Sequence, residues 1–393
     1  MAYEALDFIL ERADKIRAGA EENEKLMKLN DDAAGVLRES GIMRLTAPKS
    51  HGGAEAHPRE FAETVMGTAS IDGATGWHGG IVGVHPWELA MADPKAIDEV
   101  LGDNPDTWMA SPYAPMGVAV PTDGGYILNG KWSFSSGTDH CDWLFIGAMV
   151  GDAEGKPVMP PKIMHVLVPR EDYTIDHDSW NVVGLRGTGS KDVIVKNAFL
   201  PTHRTMDSAK IMSGEQSKEM GLTQTLYNLP YWHVFPLGIT AAVIGIAEGA
   251  LNAHVEMQKQ RTLVTGQPLK ENPYMLNAIG EAAAEIQASR AALLDTADRF
   301  FDRVDSGGTV TLQERAEGRR TQVRAAHRAV RAVDQIFDIA GGRALHMDTP
   351  LQRFWRDAHS GLVHAVHVTG QPYHASAFID LGGEPEGPMA AML

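Results

Sequence analysis

Between Trp108 and Pro201 the hydrophobic period of this chain changes from helical to alternating, and beyond Pro201 it changes back. A strand block with helical sequence on both sides can bury its apolar faces in few ways, and a layered α+β architecture is expected. The 393 residues exceed the usual single core, so they divide into three parts. Residues 1–103 read as an N-terminal α-helical domain, 104–205 as a middle β-barrel or sandwich domain, and 206–393 as a covering loop and C-terminal four-helix bundle.

Helices are expected over Tyr3–Glu39 with a restart at Asp31-Asp32, then over Pro58–Ile71 and Pro94–Leu101. Ser40–Gly53 reads as a turn with a short extended piece. Ala74–Leu89, rich in glycine and aromatics, is expected to lie against something flat. In the β block, Asn129-Gly130 is the strongest two-residue hairpin signal, between YIL and KWSFS. Further strands are expected at Asp142–Val150, Lys162–Val168 and Asp192–Ala198. Thr309–Ile339 reads as a long helix whose arginine run makes a solvated or subunit-facing surface. Leu351–Val368, LQRFWRDAHSGLVHAVHV, reads as one helix, with His364 and His367 pointing the same way.

Net charge is −16, which argues against nucleic acid and anionic membranes as partners. Cys141 alone can build no internal disulfide and fits a reducing cytoplasm. No signal peptide is expected, and the apolar run near Phe235–Ala247 reads as too short to span a bilayer. HExxH, CxxC, P-loop, GxGxxG and GxSxG patterns are missing, so no metal site is expected, nor a nucleotide fingerprint or nucleophile elbow. What remains is a set of indoles, hydroxyls and imidazoles: Trp77, His85, Ser111, Tyr113, Trp132, Ser135, Ser136 and His364. Such a set suits a planar aromatic ligand, with stacking faces and a few directional polar groups.

Five stretches carry a resemblance: GATGWHGGIVGVHPW (73–87), SPYAPMG (111–117), DGGYILNGKWSFSSGTDH (123–140), VVGLRGTGS (182–190) and RFWRDAHSGLVHA (353–365). They resemble the acyl-CoA dehydrogenase fold, and in particular its reduced-flavin-dependent aromatic hydroxylases, the group D oxygenase halves of two-component monooxygenases. Within that group the similarity is greatest to hydroxylases of a steroid-derived phenol (3-HSA), and more distant to those of 4-hydroxyphenylacetate. The dehydrogenases' C-terminal glutamate base is missing: the matching positions read His364-Ala365-Val366.

The resemblance implies reduced FMN or FAD delivered by a separate NAD(P)H-dependent reductase, with dioxygen as cosubstrate. It also implies a C4a-hydroperoxyflavin, ortho-hydroxylation of a phenol, and a homotetramer. Oxygenation at nitrogen or sulfur, or oxidation of an acyl thioester, is the alternative chemistry on this fold. By the same resemblance Trp77, Ser111, Pro112, Tyr113, Phe134, Ser135 and Ser136 would contact the flavin ring. Arg261 would hold its phosphate or pyrophosphate, within the subunit or across a subunit boundary, and Gly341 and Gly342 would let backbone approach a neighbour's flavin tail. His85, Tyr113, Tyr231, Trp232, His364 and His367 would surround the substrate, with His364, His85 and Ser111 in catalytic roles. The steroid-phenol hydroxylases have Asn-Asp where this chain has His367-Val368, a departure at the substrate pocket or its support that leaves room for a different phenol.

Overall fold

The computed structural model describes residues 4–259, 261–262, 266–390 and 392–393, so Tyr3 lies outside it. Seven helices come first: α1 (Glu4–Glu11), α2 (Ala13–Leu26), α3 (Asp31–Ser40), α4 (Pro58–Ile71), α5 (Gly73–Val82), α6 (His85–Leu89) and α7 (Pro94–Leu101). Caps explain the starts of α3 and α5: Asn30 accepts from the Ala33 amide, and Asp72 from that of Thr75. The extended piece expected in 40–53 is instead two 3₁₀ turns, Ile42–Arg44 and Lys49–His51.

Eight strands follow: β1 (Met109–Ala110), β2 (Gly117–Thr122), β3 (Gly125–Ser135), β4 (Trp143–Val150), β5 (Ile163–Pro169), β6 (Tyr173–Asp176), β7 (Lys191–Pro201) and β8 (Thr205–Asp207). They make one connected sheet in the order β6-β7-β3-β2-β4-β5-β8, with β1 beside β4. Asn129-Gly130 is not a turn. The chain reverses at Asp123-Gly124, and β3 runs straight through Asn129-Gly130 with a register shift against β7. Packing overrides the local turn signal here: a Cβ at Gly130 would lie 2.6 Å from the Trp132 ring, so glycine makes room for that fully buried indole. The Trp132 indole N–H donates to the Gly147 carbonyl at 2.7 Å.

The covering segment holds three short helices, α8 (Ser208–Ser213), α9 (Glu215–Glu219) and α10 (Tyr231–Val234). The bundle is α11 (Leu237–Gln258), α12 (Pro273–Asp305), α13 (Leu312–Asp338) and α14 (Pro350–Leu362), with α15 (Gly370–Asp380) against α13. Tyr231–Gln258 is long and apolar enough to cross a membrane by length and composition, contrary to the sequence expectation. Its most apolar stretch is 83% buried, as befits the core helix of a bundle. Every residue of α5 is buried, chiefly against helices α4 and α11, with Trp77 and His78 reaching the β domain. Gly80 and Gly238 let α5 and α11 approach: a Cβ on either would meet the other's carbonyl oxygen within 2.6 Å.

Two expectations for the C-terminal part change. On α13 Arg319 turns inward, 2% exposed, bonded to Gln322 and the Val366 carbonyl, while Arg320, Arg324 and Arg331 stay on the surface. The helix read over Leu351–Val368 stops at Leu362; Ala365–His367 is a separate 3₁₀ turn that His364 caps.

Candidate active site at the helix–sheet joint

Consecutive helices α5 and α6 bring Trp77 and His85 against the β domain, where each meets a separate chain of polar groups. The Trp77 indole N–H donates to Ser136 Oγ at 3.4 Å. Ser136 bonds Ser190 at 2.7 Å, Ser190 bonds Thr188 at 2.7 Å, and the Thr188 hydroxyl donates to the Leu185 carbonyl. That last bond fixes the direction of the others, since each hydroxyl has one proton to give. Ser136 therefore accepts from Trp77 and donates to Ser190, leaving no proton for a ligand. Its neighbour Ser135 differs: its hydroxyl is buried without a partner among the described residues. Phe134 is 69% exposed with left-handed backbone (φ 64°), its ring edge-on to Trp180.

The second chain starts at half-buried Ser111, 2.5 Å from His85 Nε2. His85 Nδ1 lies 3.2 Å from the Tyr113 hydroxyl. Behind them Glu88 Oε1 bonds His165 Nδ1 at 2.5 Å, both residues 1% exposed, and the His165 and Tyr113 rings stack at 4.2 Å. Burial, with His165 adding to it, pushes His85 down to about 3. Pro112, between Ser111 and Tyr113, is buried, and its carbonyl accepts the Gly147 amide at 3.2 Å, tying this loop to β4.

His364 is half-buried with its ring 5.8 Å from Trp77, edge-on, and Nδ1 accepts the Val366 amide at 3.3 Å. Burial lowers it to about 4, so it is neutral at pH 7; with Nδ1 accepting, Nε2 carries the proton. His367 does not point the same way. Its nitrogens are bonded to the Gly361 carbonyl and the Thr240 hydroxyl, and it is 1% exposed.

The preceding part of the motif is a clamp. Arg356 bonds the Val183 carbonyl and Glu24, and Asp357 Oδ1 accepts the Leu185 amide at 2.6 Å. Burial, beside Asp72 and Glu24, raises Asp357 to about 7.

Tyr231 is buried between Trp87 and Phe235, and Phe235 also touches Tyr113. Trp232 packs on Tyr231 and Phe235 under the Arg319 guanidinium, its indole N–H buried and unpartnered. Arg261 lies apart from this joint. It bonds Gln258 and the Ala340 carbonyl, sits over the left-handed turn at Gly341, and lines a cleft of about 400 Å³ with Asn272, Met275 and Ile339. Gly342 has open space where a side chain would be. The sequence reading missed Glu88, His165, Thr188 and Ser190. A signal existed for two of them: Glu88 is one helical turn from His85, and His165 interrupts an otherwise apolar strand.

Residues 237–369 match the family "Acyl-CoA dehydrogenase, C-terminal domain". A pigment production hydroxylase of Rhodococcus erythropolis is 54% identical over 393 residues, covering 100% of both chains. The flavin-dependent monooxygenase oxygenase subunit HsaA of Rhodococcus jostii is 41% identical, over 91% of this chain and 93% of its own. The chain belongs to the oxygenase components of the flavin-dependent monooxygenases. An FADH2-dependent resorcinol hydroxylase oxygenase component from Rhizobium is 32% identical over 88% of this chain and 87% of that protein. The crystal structure of the HsaA monooxygenase from M. tuberculosis superposes with a TM-score of 0.92 at 36% identity, covering 100% of each chain. As an oxygenase component, this protein uses reduced flavin from a separate reductase component and acts on an aromatic substrate.

The residues present fit a flavin ring. The Ser135 hydroxyl is buried without a partner among the described residues, and the Trp77 indole is bonded to Ser136, the next residue. An aromatic ring beside a spare hydroxyl is a donor set that suits a planar heterocycle.

Proposed function

We propose that this oxygenase component ortho-hydroxylates a phenol, converting phenol, dioxygen and reduced flavin into catechol, water and oxidised flavin. The observation that carries this reading is the pair of polar chains meeting the β domain from one helical segment, Trp77 with Ser136 and His85 with Ser111. When bound, the flavin supplies the activated oxygen, and the protein's own groups orient, dry and manage protons. Ser135 and the main chain of 134–136 hold the ring's polar edge, with Trp77 against its face. Arg261, over the turn at Gly341, holds the phosphate tail, whether of FMN or FAD. Ser111 and His85 receive the phenol hydroxyl. Tyr231 lies behind Tyr113, and Trp232 closes the covering segment. His364 offers its Nε2–H to the reacting oxygens.

A steroid-derived phenol is the substrate class the resemblance favours. A homotetramer is the working assembly, and exposed Leu345, Met347, Val363 and Leu381 near the last helices supply apolar contact area. The test supplies purified protein with chemically reduced FMN or FAD, labelled dioxygen and a panel of phenols, alongside light scattering of the active species. Catechol carrying the label, formed by a tetramer and never from NADH alone, is expected. Label appearing only in sulfoxides or N-oxides, or unlabelled acyl-CoA oxidation, would replace this reading with the alternative chemistry.

A further inference from the structure

What Ser111 can offer a ligand depends on where the protons of its own hydrogen bonds lie. Burial holds His85 at about 3, so at neutral pH the ring is uncharged, with one nitrogen donating and the other accepting. Ser111 Oγ lies 2.5 Å from Nε2, and the Tyr113 hydroxyl 3.2 Å from Nδ1. A hydroxyl can give or take in either place, so neither bond alone fixes the tautomer. Two arrangements satisfy both: every proton of the trio points toward Ser111, or every proton points away from it.

Tyr113 decides between them. Burial holds its hydroxyl well above the usual phenol range, so it keeps its proton, and a proton buried without an acceptor is costly. Among the described residues that hydroxyl has one hydrogen-bond partner, His85 Nδ1. The Glu88 carboxylate does not compete: Oε1 is bonded to His165 Nδ1, and Oε2 makes no hydrogen bond among the described residues. The Tyr113 ring is held in place, stacked on His165 at 4.2 Å and 7° from parallel, with Phe145 edge-on at 5.6 Å. Tyr113 therefore donates to Nδ1. The imidazole proton is on Nε2 and goes to Ser111 Oγ, which accepts. The proton of Ser111, a half-buried residue, is left over for a ligand.

We propose that Tyr113 is a positioning residue: its hydroxyl fixes His85 as the Nε2–H tautomer and thereby makes Ser111 a hydrogen-bond donor to the substrate oxygen. This rests on the reading of Ser111 and His85 as the phenol's neighbours. A site set this way favours a ligand oxygen that only accepts. An ionised phenol is such a ligand, and a hydrogen bond to a charged oxygen is stronger than one to a neutral oxygen. A neutral phenol in the same place must turn its own proton elsewhere. With the opposite tautomer the Ser111 proton would be committed to His85, and this preference would vanish. The titratable groups facing the trio are Glu88 from α6 itself, His165 from β5 and Tyr231 from α10. None of them is altered in the test below.

Neutron diffraction from deuterium-exchanged crystals of the unaltered protein reads the tautomer directly. A deuteron is expected on His85 Nε2 and none on Nδ1, with the Tyr113 deuteron directed at Nδ1. A deuteron on Nδ1 would overturn the proposal. The consequence for a ligand is read with p-nitrophenol, whose phenolate is yellow, bound to protein holding reduced flavin without oxygen. Tyr113→Phe keeps the ring and its stack on His165 and removes only the hydroxyl. It should raise the ionisation midpoint of the bound probe by about one pH unit over the unaltered protein, a loss of about tenfold in preference for the phenolate. A ring that only fills space predicts no shift, because phenylalanine fills the same space. A midpoint unshifted or lowered in Tyr113→Phe would therefore overturn the proposal, even if hydroxylation fell. An unaltered protein that neither binds nor hydroxylates any phenol would overturn the underlying reading instead, with the deuteron positions still deciding the tautomer.

Discussion

His85 and His364 stand at the same joint and are both depressed by burial, to about 3 and about 4, yet their surroundings differ in kind. His85 has a side chain on each nitrogen and a carboxylate behind them. His364 has one main-chain amide and the edge of Trp77. A low pKa removes charge from an imidazole but does not settle its role. The hydrogen bonds do: the first ring carries a direction from Tyr113 through to Ser111, and the second can only offer its own proton.

The sharpest way to break this contrast is His85→Ala, which interrupts the chain from Tyr113 to Ser111. Single-turnover hydroxylation should fall by about 10³-fold, inside the range for a lost proton-transfer group. Protein shown folded by circular dichroism that loses less than tenfold would take His85 out of the reaction. The effect of His364→Ala should be smaller and of another kind, about 10²-fold in product, with the missing oxygen recovered as hydrogen peroxide. The ratio of product to peroxide per flavin oxidised is the measurement. Equal uncoupling in both alanine variants would erase the distinction between the two rings.

The smallest effect concerns the clamp that precedes His364. Burial raises folded Asp357 from the ordinary carboxylate value near 3.8 to about 7, so the folded chain binds more protons than the unfolded one in that interval. Stability then falls as pH rises from about 4 to about 7. Asp357→Asn can still accept the Leu185 amide through its side-chain oxygen. It should lose less stability between pH 5 and pH 8 than the unaltered protein, by on the order of 2 kcal/mol. Parallel denaturation curves at the two pH values would mean Asp357 does not ionise within that window.

Much of the architecture was legible because long stretches keep one hydrophobic period: Pro58–Ile71 and Pro94–Leu101 have the ends the sequence suggested. Asn129-Gly130 misled because a turn signal is local while the demand for glycine came from the Trp132 ring. His364 was placed on a helix with Arg356 because no proline or capping residue announces the stop at Leu362. The trio of His85, Ser111 and Tyr113 was named from residue type, and its roles from the family resemblance, but the wiring behind it was not. Glu88 and His165 lie 77 residues apart, and only the folding of α6 against β5 makes them a pair.

Leu185 has a left-handed backbone (φ 52°), a conformation that a branched aliphatic residue adopts only when something holds it. Its amide is held by Asp357, 172 residues later in the chain. The loop that ends the Trp77 hydroxyl chain therefore cannot take its final shape from the middle domain's own residues. During synthesis the strands can pair as they emerge, but this corner stays unset until α14 has been made and docked. A fragment ending after β8 would have its sheet and lack its active-site edge, so the last part of the chain to be translated completes the first part of the site.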